Sequence, residues 1–273
     1  MRAVHQTADG AFGATESSRY NPHMLRMMVV TAHPDDEASS FGGSLRLYRE
    51  RDVETCVICL TPGQAATYRG GAHNDQELGA LRRKEFAAAC EILKVSRGIV
   101  LDYPDGQLHR LEMQRVVSDL ALHIREFRPQ VLLTFDPGGS VTGHTDHSMA
   151  SVFATLAFHW AGRSNRFPDQ LNDSLAPHRV QKLYYATADF VLPGRQPVTL
   201  APPTSIIEIG DYLEAKIEGF RAHTSQQPLW SLFEEYVRKR GRRELFHLVA
   251  AVKADPVGQE SDLFAGVTKE ENA

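Results

Sequence analysis

Residues 27–37 read Met-Met-Val-Val-Thr-Ala-His-Pro-Asp-Asp-Glu. The first six are apolar or β-branched and of strand length, and the proline after His33 ends the run. The small residues Ala38, Ser39 and Ser40 then open a stretch with helical spacing. A strand that passes through an acidic turn into a helix is the first part of a βα unit. The alternation recurs, with strands expected at 27–32, 53–60, 98–101, 131–135 and 182–186 and helices at 37–50, 76–93, 112–127 and 147–160. In the second helix Leu78, Leu81, Phe86, Ala89, Cys90 and Leu93 lie close to helical spacing and give one apolar face for a sheet. The pattern predicts an α/β fold around a mostly parallel sheet.

Outward from this frame the signals are plainer. Residues 1–24 carry Gly10, Gly13, Ser17, Ser18 and Pro22 with no hydrophobic period, and are expected to form a loosely ordered arm before one domain over 25–273. The polar, proline-punctuated stretch 162–179 reads as a loop over one end of the sheet and a candidate lid. Residues 184–209 read as β interrupted by Pro193, Pro197, Pro202 and Pro203, with helices starting from Asp211 and Leu229.

Composition excludes several classes. The 273 residues are 42% hydrophobic and 23% charged, with a formal net charge of -4. No field of that sign gathers nucleic acid or an anionic membrane. The basic run Arg238, Lys239, Arg240, Arg242 and Arg243 has Glu234, Glu235 and Glu244 beside it and reads as a solvated helix face. Cys56, Cys59 and Cys90 are too few for a disulfide framework, and residues three apart in a strand point to opposite faces, so buried thiols are expected. No stretch approaches a membrane span and no secretory signal opens the chain, so a cytoplasmic protein is expected.

In an open parallel sheet ligands bind beyond the carboxyl ends of the strands. Two junctions there carry chemistry. The first places His33, Asp35, Asp36 and Glu37 within five residues, and adjacent carboxylates repel unless a cation or helix amides hold them. A helix cap is the plain alternative for Asp35 or Asp36. The second follows 131–135, where Asp136, Pro137, Gly138 and Gly139 lead to Gly143, His144, Thr145, Asp146 and His147. Imidazoles and carboxylates at two such turns suit Zn²⁺ or a similar ion, and three protein ligands with one open position mark a hydrolytic site.

These motifs, AHPDDE at 32–37 and GHTDH at 143–147, resemble the LmbE-like or PIG-L family of zinc-dependent N-acetylglucosaminyl deacetylases. RxxE at Arg82 and Glu85, YPDG at 103–106 and AHTSQ at 222–226 extend the resemblance to about residue 230. It implies a Rossmann-like three-layer sandwich with a metal site at the C-terminal strand ends. It also implies one divalent ion, Zn²⁺ with Fe²⁺ as the alternative, on His33, Asp36 and His147. By the same resemblance Asp35 is the general base, and His144, paired with Asp146 and raised in pKa, supports the oxyanion. Protonated Asp35 or His144 then serves the leaving amine. Glu37 orients the loop, and Arg82, Asp105 and His223 contact substrate at the site rim. Thr145 replaces a usual proline, and Thr142 stands where some members carry a tyrosine that assists the oxyanion.

The implied function is hydrolysis of an N-acetyl group on an N-acetylglucosamine-type substrate by water activated on the metal. Two alternatives stand beside it: an amidase for a larger thiol-sugar or glycopeptide conjugate, and a non-catalytic nucleotide-binding α/β domain. No strand here is followed by GxGxxG or a phosphate loop, which weighs against the last. The expected partner is a small amide or amino sugar, with neither nucleic acid nor membrane, and homo-oligomers are expected by analogy.

Overall fold

A computed structural model describes residues 24–192, 194, 197–240, 242–253 and 258–269. The expected N-terminal arm, save Met24, lies outside the described residues.

Among the described residues seven strands form one sheet: β1 (Arg26–Thr31), β2 (Glu54–Cys59), β3 (Arg97–Val100), β4 (Val131–Phe135), β5 (Lys182–Thr187), β6 (Ser205–Glu208) and β7 (Arg243–Ala251). Their order is β3-β2-β1-β4-β5-β7-β6. The first five run parallel, and β7 joins antiparallel to both β5 and β6. Every residue of β1 and of β4 is buried, as both faces of a parallel sheet are when helices cover them.

The helices are α1 (Asp36–Glu50), α2 (Asp75–Ile92), α3 (Met113–Phe127), α4 (Thr145–Ala161), α5 (Leu213–Arg221) and α6 (Trp230–Arg240). α1 and α2 carry the chain from β1 to β2 to β3, away from the sheet centre. α3 and α4 carry it back, from β3 to β4 and on to β5. Right-handed crossovers therefore put the two pairs on opposite faces. α5 packs on α1 and α2, which completes that layer, while α3 packs on α4. The chain reverses its winding between β1 and β4, and beyond the carboxyl ends of those two strands lies the crevice.

Three expectations change. The stretch 162–179 is no lid. α4 begins at the carboxyl end of β4, so its far end and the loop after it lie at the opposite edge of the sheet. There Arg125, 1% exposed, donates to the carbonyls of Ala161, Arg163, Arg166 and Phe167 and to Gln170 Oε1. Second, among the described residues of 184–209 β is confined to the end of β5 and to β6, with Pro197, Pro202 and Pro203 outside both, while Pro193 lies outside the described residues. Third, the basic run is divided: α6 ends at Arg240, and Arg243 opens β7, a strand absent from the expected set. Glu244 turns inward to a buried pair with Lys216, while Arg238 pairs at the surface with Glu214 and Glu234. The three cysteines are free and buried, and burial pushes the Cys56 thiol up to about 12.

Candidate metal centre

β1 and β4 each deliver one motif to the crevice. The chain leaves β1 through Ala32 and His33, and Asp35 takes φ 111°, a left-handed conformation that costs a non-glycine residue on the order of 1–3 kcal/mol. This turn lets Asp36 fold back: its Oδ2 accepts the backbone N–H of His33 at 2.8 Å and of Ala32 at 3.2 Å. Its Oδ1 is left to face His147 Nε2 at 3.1 Å, and Oδ2 lies 3.6 Å from His33 Nδ1. Burial alone would raise the Asp36 pKa, but His147 and His33 outweigh it and hold the carboxyl below the usual range.

The β4 motif is set by a turn with three left-handed residues, Gly139, Ser140 and Gly143. His144 caps α4, its Nδ1 accepting the Asp146 N–H at 3.1 Å. The His33, His144 and His147 rings gather with centroids 4.8, 5.2 and 5.4 Å apart. The His147 ring lies flat on Phe135, the last residue of β4, at 4.1 Å and 10°.

Asp105 and Asp146 stand behind His33. Its Nε2 lies 3.0 Å from Asp105 Oδ1 and 3.5 Å from Asp146 Oδ2, though off the N–H axis. Asp105 also accepts the Ala65 N–H, and Asp146 those of Gly106 and Leu108. Burial would lower the His33 pKa, yet the carboxylates raise it to about 10. The pocket is thus built to hold positive charge. Sets of three ligand atoms within 4.8 Å of one another are His33 with His144 and His147, and His33 with Asp105 and Asp146; Asp36 meets His33 and His147 pairwise.

The two imidazoles and the free Asp36 oxygen fit a divalent ion of the zinc kind. Asp36 meets one ring nitrogen of each histidine, at 3.6 and 3.1 Å, and contributes charge, and carboxylates back the remote nitrogen of His33 as they do for metal-bound histidines.

Several residues expected at the rim lie in the floor. Arg82 is 3% exposed and donates to Pro34 O, to Gly63 O at 3.0 Å and to Asp35 Oδ2 at 2.8 Å. Asp105, as described, braces His33. His223 and Glu37 are fully buried and share a 2.6 Å hydrogen bond, while Glu37 Oε2 accepts the Asp35 N–H. Glu37 thus ties His223 to the backbone of the turn at Asp35, and all four side chains are buried. Asp146 pairs with His144 only through its backbone, and the His144 pKa is lowered, by burial first and then by His33 and His147. Asp35 stands at the opening, its pKa raised to about 6 by burial and by Asp36 and Glu37 against the pull of Arg82.

The RxxE and AHTSQ motifs meet: Glu85 accepts from Thr224 Oγ1 at 2.7 Å, Ser225 N at 2.6 Å and Ser225 Oγ at 2.7 Å. Tyr68, Arg69 and His73 line a separate cavity of about 510 Å³ with Thr224 and Gln227. Phe135 joins the centre beyond the residues expected there. The only sign of Phe135 in the sequence is its place at the last strand position before the second motif.

Residues 28–158 match the family described as PIG-L, GlcNAc-PI de-N-acetylase. The chain is 31% identical over 292 residues to 1D-myo-inositol 2-acetamido-2-deoxy-alpha-D-glucopyranoside deacetylase of Streptomyces griseus subsp. griseus, covering 89% of each chain. It is 29% identical over 216 residues to diacetylchitobiose deacetylase of Thermococcus kodakarensis, covering 78% of this chain and 75% of that one. The solved N,N'-diacetylchitobiose deacetylase of Pyrococcus horikoshii superposes with a TM-score of 0.70 at 23% identity, over 82% of this chain and 83% of that chain, which bears on the fold. From these matches, the chain belongs to the PIG-L, or LmbE-like, family of de-N-acetylases.

Proposed function

We propose that this protein is a metal-dependent N-deacetylase for N-acetylglucosamine-type amides, with His33, Asp36 and His147 as the ligands of one divalent ion, Zn²⁺ or Fe²⁺. The observation that carries the reading is the meeting of these three side chains with His144 at the β1/β4 crevice, with Asp35 in the same turn as Asp36. The Streptomyces and Thermococcus deacetylases act, by their names, on acetylated amino sugars or their conjugates.

When bound, the ion polarises a carbonyl oxygen and lowers the pKa of water to about 7. Asp35 accepts the proton of the attacking water. Arg82 holds its Oδ2, and among the described residues Oδ1 makes no hydrogen bond and is left for proton transfer. A base whose pKa is raised toward 6 is largely ionised at neutral pH and still returns its proton readily.

His144 stabilises the oxyanion. Since its Nδ1 accepts the Asp146 N–H, the neutral ring carries its proton on Nε2 and donates it as a hydrogen bond. That proton is therefore committed, and Asp35 delivers the one it took from water to the leaving amine as the C–N bond breaks. One amide and one water give one amine and one acetate.

Removing Asp35 tests the assignment. Asp35→Ala is expected to bind metal at the wild-type ratio and to lose turnover by on the order of 10²–10⁴-fold, the usual size of a general-base contribution. His147→Ala is expected to lose both metal and activity. Full turnover in Asp35→Ala means the proton goes elsewhere.

A further inference from the structure

Asp35 has a left-handed backbone, and a non-glycine residue stays in that conformation only where its surroundings over-determine it. Two grips do so. Arg82 Nη2 donates to Asp35 Oδ2 at 2.8 Å, and Glu37 Oε2 accepts the Asp35 N–H at 2.9 Å. The first grip is anchored on α2. The second depends on His223, which lies 186 residues along the chain from Glu37 and meets its Oε1 at 2.6 Å. The hold on the Asp35 backbone is therefore only as firm as the placement of His223.

His223 stands between α5 and a short 3₁₀ stretch, Thr224–Leu229. That stretch begins on the buried carboxylate of Glu85, which accepts from Thr224 Oγ1 at 2.7 Å, Ser225 N at 2.6 Å and Ser225 Oγ at 2.7 Å. Three donors from the two residues after His223 leave the chain little freedom there. The loop after β2 leans on the same turn: Gln226 Nε2 donates to Tyr68 O at 3.1 Å, and a Cβ on Gly70 would meet Ser225 Cα at 2.8 Å. Arg82 and Glu85 are three residues apart on α2 and so share a helix face. One face of α2 thus holds Asp35 twice, directly through Arg82 and again through Glu85, the turn at 223–225 and Glu37.

We infer that Glu85 is a positioning residue for the reaction: by fixing His223 against Glu37 it holds Asp35 where its carboxylate meets the attacking water. The inference rests on the reading of Asp35 as the base and adds the remote residue that sets it in place.

The variants are Glu85→Gln, which keeps the shape but turns one acceptor oxygen into a donor, and Ser225→Ala, which removes one donor from the other side. Backbone amide exchange at Asp35 reads the second grip directly, and exchange in β1 and β4 shows that each variant is folded. In both variants the Asp35 N–H is expected to exchange on the order of tenfold faster than in wild type. Glu85→Gln is expected to lower kcat on the order of 10²-fold, the size of a small misplacement of a reacting group, with KM and metal content unchanged. In an Asp35→Ala background it should cost no further turnover, since the two residues act as a unit. Wild-type exchange and kcat in folded Glu85→Gln, or an equal loss of kcat in the Asp35→Ala background, overturn the inference. Should Glu85→Gln not fold, Ser225→Ala carries the same comparison. Full turnover in Asp35→Ala overturns the base reading instead, and the exchange at Asp35 then still decides whether Glu85 holds the turn.

Discussion

Arg82 reaches from α2 to the turn after β1 and donates to Asp35 at 2.8 Å, while only 3% of its side chain meets solvent. Its guanidinium pulls down the pKa of a carboxyl that burial, Asp36 and Glu37 raise to about 6. Because the base must be ionised, activity should rise with pH through that region and fall off below it. A bound cation adds to the pull of Arg82, so the midpoint lies at about 6 or lower. Arg82→Gln removes a charge within hydrogen-bond reach, and the acidic limb of kcat/KM is expected to move up by roughly one to three pH units. A pH profile on the two proteins checks it. A raised KM with an unmoved limb would restore Arg82 to the sugar-contact role.

The His223–Glu37 pair is fully buried at 2.6 Å, and Glu37 in turn holds the Asp35 N–H. Burial alone would lower the His223 pKa, but Glu37 raises it. A group whose folded pKa is raised contributes stability that is full below its unfolded value, near 6.5, and is lost as pH rises through the folded value. His223→Ala leaves Glu37 buried without its partner, and a loss of about 3–5 kcal/mol is expected from denaturant melts below pH 6.5. The difference between the proteins should shrink at higher pH. A variant of wild-type stability with a raised KM would point back to a rim contact.

Arg125 meets four carbonyls and Gln170 at the end of the sheet remote from the crevice. Arg125→Met strands buried acceptors, each worth about 1–3 kcal/mol, so the melting temperature should fall markedly. Activity per folded molecule should not change. A lowered kcat at full folding would mean that the loop after α4 acts on the site as a lid.

Most of this fold was legible because a buried parallel strand and an amphipathic helix each leave a local pattern. β4 ends where the apolar run ends, and the other early strands differ by a residue or two. β7 was not legible, since its apolar run from Leu245 follows a basic helix with only the four polar or glycine residues 241–244 between them. The site divides in the same way. Strand-end position alone gathers His33, Asp35, Asp36, His144 and His147, because each lies on a junction facing the crevice. What Arg82, Asp105, Asp146 and His223 touch depends on contacts across 47, 72, 113 and 186 residues. Spacing along the chain carries no information about which way such side chains turn. Burial supplies it, and all four side chains lie in the floor of the site.

The central claim is that His33, Asp36 and His147 hold an ion on which amide hydrolysis depends. Its most direct test is metal content by mass spectrometry on the purified protein, paired with amine release from a panel of N-acetylglucosamine derivatives before and after chelation. About one Zn²⁺ or Fe²⁺ per chain, with release that stops on chelation and returns with metal, is the predicted result. Failure of the protein to take up any divalent ion under reconstitution, or release that persists without one, would contradict the account.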